Sequence, residues 1–274
     1  MGNIEKLRDI MVALRHPENG CPWDLQQNFA SIVPHTLEEA YEVANAIENG
    51  DMDELRDELG DLLFQVVFYA RLAEEQGDFD FEQVVDGIID KLIRRHPHVF
   101  ASAYIADVEA QTQAWETQKA EERKRRAAQS ATLSVQGTLT GVALALPALS
   151  RATKLQKRAA RVGFDWPEVS PVLDKVLEEL NEVKAEIAQG GSSMRLEEEL
   201  GDLLFACTNL ARHLQLEPET ALRRANRKFE RRFACMEALA SQQGVSLSEL
   251  NLDAWEVLWD DVKADEHSAA RCTF

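Results

Sequence analysis

The sequence predicts an all-α fold in which two copies of one helical-bundle module follow each other along the chain. The heptapeptide Glu-Leu-Gly-Asp-Leu-Leu-Phe occurs at residues 58–64 and again, letter for letter, at residues 199–205. Around it the apolar residues recur at helical spacing, as Leu59, Leu62 and Leu63 do, and the alternation typical of strands is nearly absent. With 274 residues, the chain is long enough for two modules that each bury a core.

Other landmarks of the repeat also lie about 140 residues apart and define the predicted domains. They are Trp23 with Trp166, Glu-Glu-x-x-Glu at 38–42 with 178–182, and Trp-x-x-x-Lys at 115–119 with 259–263. Between the copies, Ser, Thr, Gln and Gly are frequent, as in a flexible linker. We therefore predict an N-terminal module at residues 1–128, a linker at 129–141 and a C-terminal module at 142–274.

The centre of each module is predicted to be a pair of antiparallel helices joined by a short turn. Asn49-Gly50 is this turn in the first copy and Gly190-Gly191 in the second. Ser170-Pro171 suits the N-terminal cap and first turn of the helix that precedes Gly190. Gly60 and Gly201 interrupt the following helices at a cost of about 1 kcal/mol relative to Ala, which indicates close packing or the approach of a ligand.

The charge of the chain excludes several classes of partner. Lys and Arg number 30 against 48 Asp and Glu, so the formal net charge is −18, which opposes binding to nucleic acid or anionic membranes. The longest apolar runs, residues 62–70 and 142–149, fall short of the roughly 20 residues that span a bilayer. No export signal or lipid anchor is indicated, and the four cysteines lack the spacing of a zinc site or a disulfide framework. We expect a cytoplasmic protein.

Four carboxylates in each module are predicted to converge between the paired helices, because residues three apart share a helix face. They are Glu39, Glu42, Glu58 and Asp61 in the first module, and Glu179, Glu182, Glu199 and Asp202 in the second. These acids would repel one another unless a cation lay among them, and all-oxygen ligation favours Mg²⁺ or Mn²⁺. Two structural alternatives remain open: a solvated acidic face, and a capping box formed by Thr36 and Glu39.

A second cluster of interest is basic and lies in the second module. Arg224, Lys228 and Arg232 fall on one helix face, and Trp259 and Lys263 form a further pair at i and i+4. Cations and a metal suit the phosphates of a nucleoside triphosphate, and an aromatic ring suits its base. Taken alone, the basic stripe would also fit a solvated helix face.

Together these motifs resemble the two-module MazG proteins. Three further segments carry the resemblance: Asn19-Gly-Cys-Pro-Trp-Asp24, Arg94-Arg-His-Pro-His-Val-Phe100 and Arg161-Val-Gly-Phe-Asp-Trp166. The resemblance covers the chain except for the predicted linker and the residues after Lys263. It implies a homodimeric Mg²⁺-dependent enzyme, with Mn²⁺ as a substitute, that hydrolyses NTP or dNTP to the monophosphate and diphosphate. It also implies broad base tolerance and a role in nucleotide-pool sanitation.

The resemblance further implies roles for individual residues. The eight acids named above would be metal ligands, and the second module would carry most of the activity. The nucleotide would contact Lys175, Arg195, Lys228, Arg232, Trp259 and Lys263, for which the first module offers Lys91, Arg95, Trp115 and Lys119 as rough counterparts. Glu178 and Glu198, each adjacent to a ligand, are candidates for orienting or deprotonating the attacking water.

Two other functions fit the sequence. A relative of narrower specificity, such as a phosphoribosyl-ATP or dUTP pyrophosphohydrolase, would use similar chemistry, but those enzymes resemble a single short module. A non-catalytic helical scaffold would bind a partner protein and leave the carboxylates solvated. A rise in melting temperature with Mg²⁺ would distinguish a metal site from such a scaffold.

Overall fold

The structure is a computed structural model that describes residues 2–129, 137–246, 248 and 250–269, without the side chains of Glu116, 123–129 and 267–269. Within these ranges the chain forms α-helices and no β-strand, which confirms the predicted all-α class. It divides into two compact units, Met1–Ala131 and Thr132–Phe274. Residues 130–136 of the predicted linker lie outside the described ranges, so the linker stays a prediction.

The first unit is built around an antiparallel pair of long helices, α3 and α4. Helices α1 and α5 pack on α4, and α6 packs on α5. The helices of this unit are α1 (Asn3–Leu14), α2 (Pro22–Gln26), α3 (Phe29–Asn49), α4 (Met52–Gln76), α5 (Phe81–Arg95), α6 (Pro97–Phe100) and α7 (Val108–Gln129).

The second unit repeats this arrangement around the pair α9 and α10. Helix α8 packs on α10 and α11, while α11 also contacts α10 and pairs with α12. Its helices are α8 (Ala148–Ala160), α9 (Val169–Ala188), α10 (Ser193–His213), α11 (Pro218–Gln242) and α12 (Leu252–Ala269).

The turns inside the two helix pairs lie where the sequence predicts them. Gly50 ends α3 with φ 72° and Gly190 follows α9 with φ 67°, a left-handed conformation that glycine adopts without steric cost. The side chain of Asp51 then accepts hydrogen bonds from two amides of the first turn of α4, and the Ser192 hydroxyl accepts one, from the Arg195 amide of α10. These features reverse the chain within two residues in the first unit and four in the second, and they hold each pair antiparallel.

One local expectation is wrong, and two of the alternatives left open are excluded. Helix α9 begins at Val169, so Ser170 lies in its first turn and is not the cap. Thr36 lies inside α3, where its hydroxyl donates to the Ile32 carbonyl (3.1 Å), so it forms no capping box. Neither Gly60 nor Gly201 is closely packed, since a Cβ there would meet no described atom within 4 Å.

A buried arginine ties three helices of the first unit together. Arg15 is 8% exposed, and its Nε and Nη2 donate to the Glu75 carboxylate at 3.0 and 2.6 Å. Its Nη1 donates to the Asp24 carbonyl in the middle of α2. These hydrogen bonds hold the pKa of Glu75 below its ordinary value. The pair stabilises the fold above the unfolded pKa of Glu75, and this stabilisation is lost as the pH falls through the lower pKa of the folded state.

Replacing Arg15 with Met should therefore lower the free energy of unfolding of the first unit by about 2 kcal/mol at pH 7. The variant loses the donor to the Asp24 carbonyl and one of the two arginines that bind Glu75, which keeps its hydrogen bond to Arg71 (2.9 Å). The matched control is Arg56→Met, because Arg56 is exposed and binds Asp53 and Asp57 at the surface, where a loss under 1 kcal/mol is expected. Urea denaturation followed by circular dichroism measures both. The role of Arg15 would be contradicted if both variants lost the same free energy of unfolding. It would also be contradicted if the loss in Arg15→Met did not become smaller at acidic pH.

Candidate functional site

Three carboxylates meet between α9 and α10 in the second unit. One oxygen each of Glu179, Glu199 and Asp202 lies within 4.8 Å of the others. Glu179 is 6% exposed, and its Oε2 has no hydrogen-bond partner within the described part of the chain. A buried carboxylate oxygen without a hydrogen-bond partner costs free energy, and a bound cation would remove this cost. Because all the clustered atoms are oxygens, the cluster suits a hard cation.

The first unit repeats the cluster with Glu39, Glu58 and Asp61, whose oxygens also lie within 4.8 Å of one another. Burial, followed by the charge of neighbouring carboxylates, raises the pKa of both Glu39 and Glu58. Repulsion between the acids thus contributes to the raised pKa of both glutamates of this cluster. A cation among them would relieve it.

The fourth predicted ligand of each set lies beside its cluster and is not part of it. Burial and then the charges of Glu179 and Glu199 raise the pKa of Glu182. Likewise the charge of Glu42 contributes to the raised pKa of Glu58. Both residues therefore lie near enough to the clusters to interact with them, and their ligand role stays a prediction.

Two of the predicted substrate-binding cations are paired with the acids of the second unit. Lys175 Nζ lies 2.8 Å from a carboxylate oxygen of Glu178 and 2.8 Å from one of Glu179. Arg195 makes the same double contact with Glu198 and Glu199, again at 2.8 Å. Each cation thus joins one cluster member to one of the glutamates predicted to handle the attacking water.

The first unit lacks both of these cations. The repeat aligns His35 with Lys175 and Glu54 with Arg195. His35 Nδ1 lies 3.7 Å from Glu38, while Gln65 approaches Glu39 with its Nε2 at 3.4 Å. The difference is readable in the sequence once the copies are aligned residue by residue.

The remaining predicted substrate contacts form a separate group on α11 and α12. The Arg232 guanidinium carbon lies 5.4 Å from the centre of the Trp259 ring, and Lys263 Nζ lies 2.6 Å from Asp260. Trp259 also packs against Phe229, with ring centres 5.7 Å apart. Lys228 lies on α11 with Arg232, and the contact of this group with a nucleotide stays a prediction.

A pair of arginines held by one glutamate recurs in both units and was missed by the sequence analysis. Glu266 binds Arg231 at 2.8 Å and Arg232 at 2.9 Å, joining α12 to α11. In the first unit Glu122 on α7 binds Arg94 and Arg95 at the equivalent positions, and the two guanidinium groups lower its pKa to about 2. The offset of 144 residues between the glutamates, shared by Trp115 and Trp259, was the available signal.

The first unit keeps a further contact in this region. Trp115 Nε1 donates to the Arg95 carbonyl (3.0 Å), and its ring lies 5.2 Å from that of His96. Lys91 lies on α5 and Lys119 on α7, and their role as counterparts of the second-unit substrate contacts stays a prediction.

A cleft of about 380 Å³ opens beside the second-unit cluster. Lys175, Glu179 and Asp202 line part of it, and the rest is mostly apolar. Trp166 belongs to this wall, on a loop that Asp165 fixes by hydrogen bonds with Arg212 (2.9 Å) and His213 (3.0 Å). The acidic cluster therefore borders a cavity large enough for a small organic ligand.

The family model described as the MazG nucleotide pyrophosphohydrolase domain matches the chain at residues 27–100 and 169–234. These ranges contain both carboxylate clusters. The chain belongs to the MazG family. Within the described residues no helix is long and apolar enough to cross a membrane.

Relatives with this family's activity in their names align along nearly the whole chain. A nucleoside triphosphate pyrophosphohydrolase of Escherichia coli is 51% identical over 267 residues, which are 97% of this chain and 99% of the relative. A nucleoside triphosphate pyrophosphohydrolase/pyrophosphatase MazG of Thermotoga maritima is 40% identical over 265 residues, 97% of each chain. The similarity to MazG proteins therefore includes the tandem organisation as well as the acidic motifs.

Adding Mg²⁺ should raise the melting temperature of the full chain, by the equivalent of about 2.7 kcal/mol per site at a concentration 100 times Kd. Glu179→Gln should reduce this rise, because it removes one of the three carboxylates that would hold the ion. Glu39→Gln should act in the same way on the first unit, and the double variant should lose the rise altogether. Asp174→Asn, on an exposed position of α9, is the matched control and should keep the rise. If Mg²⁺ did not change the melting temperature of the wild-type protein, the proposed metal site would be contradicted.

Proposed function

We propose that this protein is a metal-dependent nucleoside triphosphate pyrophosphohydrolase whose main active site lies between α9 and α10. The observation that carries the proposal is the cluster of Glu179, Glu199 and Asp202 beside the 380 Å³ cleft. The full-length relatives are named nucleoside triphosphate pyrophosphohydrolases, which supports hydrolysis of this class of substrate. The reaction we propose is NTP or dNTP and water giving the monophosphate and diphosphate. The resident ion is Mg²⁺, and Mn²⁺ can take its place.

The donor set fits Mg²⁺. All the offered atoms are carboxylate oxygens, which this hard cation prefers, and the orphaned Oε2 of Glu179 is available to it. Glu179, Glu199 and Asp202 would hold the ion, with Glu182 as the fourth ligand. When bound, Mg²⁺ supplies charge neutralisation at the phosphates and lowers the pKa of a coordinated water.

The chain's own residues perform the remaining tasks. Lys175 and Arg195 balance part of the cluster's charge in the structure, and the phosphates of a bound nucleotide offer them alternative partners. Lys228, Arg232 and Lys263 contribute further positive charge to the phosphates, and Trp259 an aromatic surface. Glu178 and Glu198, adjacent to ligands, orient the water and accept its proton.

The two units are not equivalent in this proposal. The second has Lys175 and Arg195 at its acids, whereas the first has His35 and Glu54 at the equivalent positions. Without those cations, phosphate groups approaching the first cluster meet less positive charge. The second unit therefore carries most of the hydrolysis, while the first retains a metal site.

We propose that the protein works as a homodimer. Leu173, Leu177 and Leu180 form an exposed stripe on α9, and Leu200 and Leu204 are exposed beside it on α10. The equivalent Leu37, Leu59 and Leu63 are exposed in the first unit. Apolar residues exposed at the same positions in both copies are typical of an interface, and the partner we propose is a second copy of the chain.

We propose that the enzyme accepts nucleotides with different bases and with either ribose or deoxyribose. We also propose that it acts in the cytoplasm. Such a range suits an enzyme that clears aberrant nucleotides from the pool. The narrower alternatives, phosphoribosyl-ATP and dUTP hydrolysis, are tested by the same substrate panel.

The reaction is tested with a panel of NTPs and dNTPs in Mg²⁺, with diphosphate and orthophosphate resolved. We expect diphosphate and the monophosphate as first products. Glu179→Gln and Asp202→Asn should each lower kcat by about a thousandfold, equivalent to about 4 kcal/mol in the barrier. Glu39→Gln and Asp61→Asn should cost far less. Orthophosphate as the sole first product, or normal hydrolysis by both second-unit variants, would refute the assignment.

The homodimer is tested by sedimentation equilibrium of the full chain, which should give twice the mass of one chain. Leu177→Glu combined with Leu204→Glu should shift the equilibrium to monomer, because it buries charge in the interface. Leu252→Glu, at an exposed position on α12, is the control and should remain dimeric. A monomeric wild type at micromolar concentration would overturn the proposal.

A further inference from the structure

Gln65 on α4 lies beside the carboxylate cluster of the first unit. It follows Glu58 and Asp61 at helical spacing, so the three side chains share one face of the helix. Its Nε2 donates to Glu39 Oε1 at 3.4 Å, which is long for a hydrogen bond. The amide of Gln65 therefore borders the cluster, although this contact fixes its orientation only weakly.

The other polar atom of the same amide has no hydrogen-bond partner. Gln65 is 6% exposed, and its Oε1 is buried and unpaired within the described part of the chain. A buried acceptor without a donor costs free energy. Rotation about the last bond of a Gln side chain is easy, so Oε1 can also take the place of Nε2 next to Glu39.

A cation in the cluster would give this oxygen a partner. Hard cations accept amide carbonyl oxygens of Gln as well as carboxylates. The amide oxygen carries no net charge, so it adds a ligand to Glu39, Glu58 and Asp61 without adding to the repulsion between them. Gln65 therefore has the chemistry, the burial and the position of a further ligand.

The second unit has a different residue at this position. The repeat aligns Gln65 with Ala206 and Phe68 with Asn209. Ala206 and Asn209 line the cleft beside the second-unit cluster. In the first unit Gln65 is buried, and Phe68 is completely buried in the hydrophobic core. Larger apolar or amide groups therefore occupy, in the first unit, the positions that border an open cleft in the second.

We propose that Gln65 is an additional ligand of the divalent cation in the first unit, and that this site holds its ion as a structural element. The inference rests on the proposed metal site of that unit. With the amide oxygen bound, the ion keeps one water fewer than at a site with alanine in this position. Fewer coordination positions then remain for phosphate oxygens or for an attacking water.

The two ions thus have different tasks. The ion of the first unit neutralises the acids and joins α3 to α4 through Glu39 on one helix and Glu58, Asp61 and Gln65 on the other. The ion of the second unit, beside Ala206, keeps the open positions that hydrolysis requires.

The first test measures the affinity of the first-unit site for Mn²⁺ by calorimetry. It uses the full chain with Glu179→Gln and Asp202→Asn, which disable the second-unit site. In this background Gln65→Leu should raise Kd about tenfold, because the ion loses one oxygen ligand. Gln76→Leu, at an exposed position of the same helix, is the matched control and should leave Kd unchanged.

The outcomes of this titration separate the inference from the proposal on which it rests. If the background protein binds Mn²⁺ and Gln65→Leu leaves Kd unchanged, the ligand role of Gln65 is refuted and the first-unit site stands. If the background protein binds no Mn²⁺, the first-unit site itself is refuted.

The variant Gln65→Glu separates a ligand from a residue that only supports Glu39. Ionised glutamate keeps an oxygen at this position but has no N–H to donate to Glu39. If the oxygen of Gln65 binds the ion, this variant should bind Mn²⁺ at least as tightly as the unsubstituted residue. A rise in Kd as large as that of Gln65→Leu would assign the effect to the Nε2 hydrogen bond and overturn the proposal.

The structural role is tested by the number of waters on bound Mn²⁺, measured from the relaxation rate of the solvent protons. The first-unit site should show one exchangeable water fewer than the second-unit site, which is measured alone in Glu39→Gln with Asp61→Asn. Gln65→Leu should raise the first-unit number, and Ala206→Gln should lower the second-unit number. Equal numbers at the two sites would overturn the proposal.

Discussion

The mutual repulsion of carboxylates brought together across a helix pair is the constraint on which the rest of the structure depends. In each unit three oxygens from two antiparallel helices lie within 4.8 Å of one another. The surrounding fold must hold the helices in this register against that repulsion. The glycine turns, the side-chain caps of α4 and α10 and the flanking helices do so, while the second unit adds Lys175 and Arg195 as internal counter-charges.

The balance between repulsion and counter-charge distinguishes the two copies. Between Thr36 and Asp61 ten acids face one base, for a net charge of −9, and between Asp174 and Asp202 nine acids face three bases, for −6. Together these segments hold −15 of the total −18. The acidity of the chain is therefore concentrated at its two helix pairs, where bound cations would neutralise part of it.

The fold and the carboxylate clusters could be predicted from sequence because both follow from local rules. Helical spacing puts Glu199 and Asp202 on one face, and a short glycine turn fixes which helix they oppose. The cleft could not be predicted in this way. Gln156 reaches the Phe205 carbonyl across 49 residues of sequence, and Asp165 reaches Arg212 across 47. Neither contact leaves a periodic trace, because each depends on how α8 and the loop before α9 pack on α10.

The glutamate that binds two adjacent arginines in each unit bears on the history of the chain. Glu122 with Arg94 and Arg95 joins α7 to α5 in the first unit, and Glu266 with Arg231 and Arg232 joins α12 to α11 in the second. A single origin of this three-residue arrangement, before the duplication, explains its presence in both units more simply than two independent origins at matching positions. The ancestral module therefore already possessed its closing helix when the gene segment duplicated. The difference between His35 and Lys175, and between Glu54 and Arg195, records divergence after that event in the charges around the clusters.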